Sequence, residues 1–265
     1  MRSADELALL TQRCGTRRRY DGREVRMRRG TLLVVLLSWV LAWVQVTTPQ
    51  GTESGRPAGT QEQTVELVPV QDITLIESAT GEISNGAGSA LFVGRTRQPR
   101  DSRRRALLAF DVAGAIPTAT QVVSVTLTLT LVHTHAGDEP IALHRVLTAW
   151  GEGESKTPGG RGAPVMPGDA TWLHTFFPDQ RWAQPGGDYA ATPSAVVTVG
   201  GYTWGPTPQM AADVQAWLDT PKQNFGWLLL GNETVEGTAK SFASRESEEP
   251  ATRPRLRVTF RPGGG

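Results

Sequence analysis

Between Val123 and Leu131 the chain alternates without a break. Val123, Val125, Leu127, Leu129 and Leu131 are apolar, and Ser124, Thr126, Thr128 and Thr130 are polar. Successive side chains of a strand point to opposite faces, so this period of two describes a strand with one face buried and one in water. Shorter segments of the same kind surround it. VELVPV, ITLIES, Ala90–Gly94, Arg105–Val112, Val196–Val199, Tyr202–Trp204, Phe225–Leu230, Ser241–Ser244 and Leu256–Phe260 all read as strands between glycine- and proline-rich turns. Ile141–Trp150 reads as the neighbour of the alternating strand, joined to it through Gly137-Asp138-Glu139-Pro140. One helix interrupts the series. Thr207 can cap it, Pro208 suits its first turn, and Met210, Val214, Trp217 and Leu218 form an apolar stripe that Pro221 ends. Many short strands with regular turns predict an all-β fold, a jelly-roll-type antiparallel β-sandwich with one short helix.

The sequence ahead of this β-rich part is of another kind. Residues 1–30 carry nine arginines against Asp5, Glu6, Asp21 and Glu24. An apolar run follows, TLLVVLLSWVLAWVQV, over 31–46. It is shorter than the roughly 20 residues of a spanning helix and has arginines on its leading flank, which is the layout of a signal peptide; an uncleaved membrane anchor is the alternative. Met27 precedes Arg28-Arg29, so the stub 1–30 reads as an over-extended start. Residues 47–63 lack large apolar side chains and read as a flexible linker, and 64–265 as the folded domain. The single cysteine, Cys14, lies before the apolar run, so the expected exported part has no disulfide. Beyond residue 30 the chain holds 18 basic and 22 acidic residues, a mildly acidic balance that argues against nucleic acid as a partner. The expected location is secreted or at the cell surface, with the membrane engaged only through the N-terminal segment.

The segments RRALLAFDVAGAIPTATQVVSVTLTLTL, LHRVLTAWGEGES, GDATWLHTFFPDQRW, PGGDY, DVQAWLDTPKQNFGWLLLGNE and FASRES follow one another in order. Together with Asn85-x-Gly-x-x-x-Leu91-x-Val93-Gly94, this series resembles the DNRLRE-domain proteins, also called carbohydrate-binding module family 96, over about residues 72–262. The resemblance implies a secreted jelly-roll module that often accompanies polysaccharide-degrading enzymes. It implies polysaccharide or cell-surface glycan as the partner, acidic glycans such as alginate for some members, and no catalytic residues.

Sugar-binding modules stack aromatic rings on pyranose faces and meet carboxylates or sulfates with charge. Trp150, Trp217 and Trp227 lie on periodic apolar faces and read as core. Trp172, Phe176, Trp182, Tyr189, Tyr202 and Trp204 lie in irregular segments and are the candidate ring platform, set against their reading as loop anchors packed on the sandwich. Arg95 and Arg97, in a run that continues through Arg100, Arg103, Arg104 and Arg105, are the candidate anion contacts, set against their reading as solvated loop and edge-strand charges that deter aggregation. Alternation places Arg104 on the face opposite Arg103 and Arg105. His133 and His135 share a strand face at a spacing zinc can use, and are read as solvent-facing. No cofactor is implied, although Asp138, Glu139, Asp169, Asp188 and Asn85 are loop oxygen donors of the type that holds a structural calcium ion. Glu152 and Glu154 have the look of a glycosidase carboxylate pair but sit in a glycine-rich loop rather than on rigid elements. Arg245 and Glu246 read as a structural ion pair. The reading is a non-catalytic binding module. A structural or adhesive surface protein without sugar affinity, and an unrecognised polysaccharide-degrading enzyme, are the alternatives.

Overall fold

The computed structural model describes residues 61–198 and 201–263. The basic stub, the apolar run and the linker up to residue 60 lie outside them. The strands are β1 (Gln63–Leu67), β2 (Gln71–Ile76), β3 (Ile83–Ser84), β4 (Ala90–Arg95), β5 (Arg103–Ala109), β6 (Thr120–Thr128), β7 (Leu131–Thr134), β8 (Ile141–Arg145), β9 (Ala163–Pro164), β10 (His174–Phe176), β11 (Gln180–Arg181), β12 (Ala195–Val197), β13 (Thr203–Trp204), β14 (Trp227–Leu230), β15 (Lys240–Ala243) and β16 (Arg255–Pro262). The helices are α1 (Val112–Ala115) and α2 (Pro208–Asp219). The fold is an all-β sandwich of antiparallel sheets. No helix of the described residues is long and apolar enough to cross a membrane.

A small sheet has the order β1-β16-β6-β13. The large sheet runs β12-β8-β14-β5-β4-β15-β7, with β2 on the other edge of β5. Because β2 covers one side of β5 from Arg104 to Ala109, β14 and β4 follow each other along the opposite side. The first and last strands pair directly, Gln63 opposite Phe260, so the two ends of the domain meet at one end of the small sheet.

Both faces of the large sheet are covered over β5 and β14, which explains why these strands read as nearly continuous apolar runs. Ala106, Leu108, Trp227 and Leu229 face Val125, Leu127, Leu256 and Val258 of the small sheet in one core. Leu107, Ala109 and Leu228 point the other way, into a second core with Ile73, Leu75, Trp150, Trp172 and Trp182. That second core is roofed by the irregular segment between β8 and β12. α2 follows the sequence reading: the Thr207 hydroxyl accepts the Met210 N–H, and Met210, Val214 and Trp217 are buried in the first core. Trp217 meets Trp227 edge-on at 4.4 Å between centroids. Burying 150–250 Å² per ring at about 25 cal/mol/Å² makes each worth roughly 4–6 kcal/mol before conformational entropy is subtracted.

Three expectations about the strands need correction. The alternating segment is two strands, not one, because β6 ends at Thr128 and β7 begins at Leu131 in the other sheet. Within β6 a bulge puts Thr259 opposite Ser124 and Phe260 opposite Val122, so Val123 is the extra residue and Val122 packs on the core in its place. Finally, Ile141–Trp150 does not neighbour the alternating strand. Its strand part, β8, lies between β12 and β14, because the turn after β7 carries the chain across the large sheet.

Candidate functional site

β15 lies between β4 and β7, with Ser241 opposite Phe92 on one side and His133 on the other. Leu91, Val93 and Phe242 enter the core, so alternation turns Phe92, Ser241 and His133 to the outer face. The glycine-rich loop after Trp150 comes down on this row. Gly160 packs so closely on the Phe92 ring that a Cβ there would stand 2.9 Å from its Cδ1. The result is an open cleft of about 340 Å³ lined by Phe92, Arg97, Gln98, His133, His135 and Arg161 among others. A second depression of about 530 Å³ shares Phe92, His133 and Ser241 with it and extends to Val132, Glu248 and Glu249. The two form one groove across β7, β15 and β4.

The charge in this groove is uneven. Arg97 and Arg161 are exposed at one end, and among the described residues neither is in an ion pair. Arg97 packs on Gly237, whose φ of +80° is a conformation that favours glycine. Lys240 lies beneath the floor, buried, with Nζ donating to the Gly137 carbonyl. His133 and His135 are exposed on the same strand face, their Nε2 atoms 2.9 Å apart, so one ring donates and the other accepts. Glu248 and Glu249 give the far end the opposite sign.

The rings named from sequence do not gather into a platform. Trp172, Trp182 and Trp204 are 4%, 5% and 0% exposed and are core residues. Trp204 Nε1 donates to the Ile141 carbonyl and Trp182 Nε1 to that of Thr171, so even their polar atoms face inward. For Trp172 and Trp182 the physical reason is that the roof over the second core has no regular sheet to draw on and supplies its own aromatics, whereas Trp204 stands on β13 and packs in the first core. Trp172 lies under the guanidinium groups of Arg105 and Arg103, at 4.7 and 5.0 Å. Phe176, Tyr189 and Tyr202 are half-buried at separate places. Tyr189 meets His144 edge-on, and Tyr202 meets Phe242.

The arginine run divides as alternation predicts. Arg103 and Arg105 share Trp172 and pair with Glu77 and Glu233. Partial burial raises the Glu77 carboxyl, but its hydrogen bonds to Arg103 outweigh this and hold it below the usual carboxylate range. Arg104 is buried and donates to the Gly160, Asp101 and Arg103 carbonyls and to Gln98. Burial pushes its pKa down to about 10. Arg95 is tied to Glu236, Ser102 and the Thr234 carbonyl. Of the candidate site residues, only Arg97 lines the cleft. Phe92 and Arg161 were not singled out, yet Phe92 was legible: in Leu91-Phe92-Val93 it is the ring on the outward position.

Of the five loop oxygen donors considered for calcium, four are engaged in hydrogen bonds within the domain. Asp169 accepts the Glu154 and Met166 N–H groups. Asp188 accepts those of Ala183 and Gln184, and Asn85 that of Thr157. Glu139 is bonded to Asn232. Glu154 is exposed, whereas Glu152 is bonded to Arg245 through both oxygens and accepts the Asp72 N–H. Arg245 also pairs with Glu246 at 2.8 Å. The carboxylates of Asp72, Glu152 and Glu246 converge there, within 4.8 Å of one another. Burial, then the charge of Glu246, pushes the Asp72 carboxyl well above the usual range, and burial raises Glu246.

No protein-family model matches the chain, and no curated protein matches it.

Proposed function

We propose that this domain is a non-catalytic binding module for an extended acidic polysaccharide, displayed outside the cytoplasm. The observation that carries the reading is the groove across β7, β15 and β4, where the Phe92 ring lies in an open cleft with Arg97 and Arg161. A pyranose can lie against the ring, while its carboxylate or sulfate meets a guanidinium that has no acid of its own among the described residues. The extension past Ser241 towards Val132 gives room for further sugar units on the same surface. The resemblance to DNRLRE-domain proteins and the signal-peptide layout of the N-terminal segment point the same way. A binding role fits the carboxylates too. The three that converge, Asp72, Glu152 and Glu246, are engaged with Arg245 rather than presented to the groove.

Affinity electrophoresis of the full chain through gels containing alginate, a sulfated polysaccharide or neutral glucan tests the reading. The acidic gels should retard the chain, less so as salt rises, since ionic contacts at an exposed cleft are screened. Replacing both Arg97 and Arg161 by alanine should abolish the retardation with the fold intact. Equal mobility in all gels would favour an adhesive or structural protein without sugar affinity. Depolymerisation of any of these chains would favour an enzyme.

A further inference from the structure

The geometry points to a calcium ion bound between Asp72, Glu152 and Glu246. The three residues come from places far apart in the chain: β2, the loop leaving Trp150, and the segment after β15. Arg245 is the cation among them. It engages both oxygens of Glu152 and Oε1 of Glu246, and its backbone N–H donates to Asp72 Oδ2. Two oxygens are left over. Asp72 is 0% exposed, and among the described residues its Oδ1 has no hydrogen-bond partner. Glu246 Oε2 is buried and has none either. A buried carboxylate oxygen without a donor is costly, and three carboxylates against one guanidinium leave negative charge uncompensated. A cation at the focus of the cluster answers both deficits.

The donor set selects the ion. All three side chains offer hard oxygen and none offers nitrogen or sulfur, which disfavours zinc. Oxygens around an ion bound at 2.3–2.6 Å stand at most about 4.6–5.2 Å apart, the calcium case; at magnesium's 2.0–2.1 Å the limit is about 4.2 Å. The three ligand oxygens lie within 4.8 Å of one another, inside the calcium limit. Magnesium also demands near-ideal octahedral geometry, whereas calcium accepts a flexible shell that waters can complete. The ion would fix both walls of the groove. The loop that starts at Glu152 carries Gly160 and Arg161, and the segment that holds Glu246 runs on to Glu248 and Glu249.

The test uses the full chain stripped with a chelator. Adding millimolar calcium should raise its melting temperature by roughly 5–10 °C, as expected when an ion far above its dissociation constant binds only the folded state of a domain this size. Terbium should bind the same protein, with emission sensitised by a nearby tryptophan such as Trp150, and calcium should displace it. Asp72→Asn and Glu246→Gln should each reduce the calcium shift to about 1 °C or less. Terbium titration of the wild-type chain keeps the test decisive if either variant misfolds. The inference is overturned if the stripped chain melts at one temperature with and without calcium and takes up no terbium. In that case Asp72 is simply a protonated acid, and Asp72→Asn should be neutral or stabilising. An equal response to magnesium would overturn the choice of ion, and an undiminished calcium shift in both variants would overturn the site. None of these readouts depends on sugar binding.

Discussion

Arg104 Nε donates to the Gly160 carbonyl at 2.6 Å, and Gly160 in turn packs on the Phe92 ring. A buried guanidinium thus holds the loop that forms the roof of the cleft. Arg104→Met keeps the apolar stem but leaves the Gly160, Asp101 and Arg103 carbonyls without this donor. It should cost about 2–4 kcal/mol in urea denaturation, since the donor lost is charged and buried. Arg104→Lys should recover only part, because an ammonium cannot reproduce the planar fork.

Phe92→Ala separates binding from folding. The ring is half-buried on the outer face, outside both cores. Its loss should change stability by about 1 kcal/mol while weakening retention in alginate gels at least ~10-fold, the worth of one stacked aromatic contact. Wild-type retention by Phe92→Ala would move the binding face elsewhere.

Trp204→Ala should do the reverse. The ring is fully buried and its N–H satisfies the Ile141 carbonyl. Truncation leaves a cavity and an unpaired carbonyl, so about 3–5 kcal/mol of stability should disappear. Thermal melts and near-ultraviolet circular dichroism would report it.

Asp213 is the polar hub under α2. It accepts the Ser194 hydroxyl and the Trp227 indole N–H on Oδ2, and the Gln209 amide on Oδ1, with Arg145 at 3.8 Å. Asp213→Ala should destabilise by about 2–4 kcal/mol, because two buried donors and a part-buried one lose their acceptor. Ser194→Ala removes one partner only and should cost about 1 kcal/mol.

His174 makes stability depend on pH. Burial, then the charge of Arg181, pushes its pKa below 6.5. Its Nδ1 lies 3.0 Å from the Thr171 hydroxyl, and its ring meets Phe177 edge-on. The folded state prefers the neutral ring, and the unfolded chain binds the proton more readily. This contribution is therefore complete above pH 6.5 and is lost as pH falls through the folded value. Urea midpoints at about pH 7.5 and 5.5 should differ more for the wild type than for His174→Gln.

What the sequence made legible was local. α2 could be read to its ends because Thr207, Pro208 and the Met210–Val214–Trp217 stripe each act within a turn or two. β2, β4 and β14 could be read for the same reason. The bulge at Val123 could not, since it is set by Thr259 and Phe260 on another strand. The partner of β8 is Trp227–Leu230, far along the chain and invisible to periodicity. Trp172 and Trp182 misled because an irregular segment was equated with exposure, whereas this one roofs a core, and Trp204 because its short strand β13 packs on the first core. Asp72 gave no sign at all. An acid at the start of a strand reads as solvated, and its partners Glu152 and Arg245 lie 80 and 173 residues away.

The pairing of β1 with β16 sets how the domain bears load. A tension between the two ends, which leave from the same end of that ladder, would peel it open one rung at a time, starting beside Gln63 and Phe260. A zip parts at low force, whereas strands sheared lengthwise must break many rungs together. A pull on the N-terminal side alone meets the same seam, because β1 is an edge strand joined to its sheet through β16.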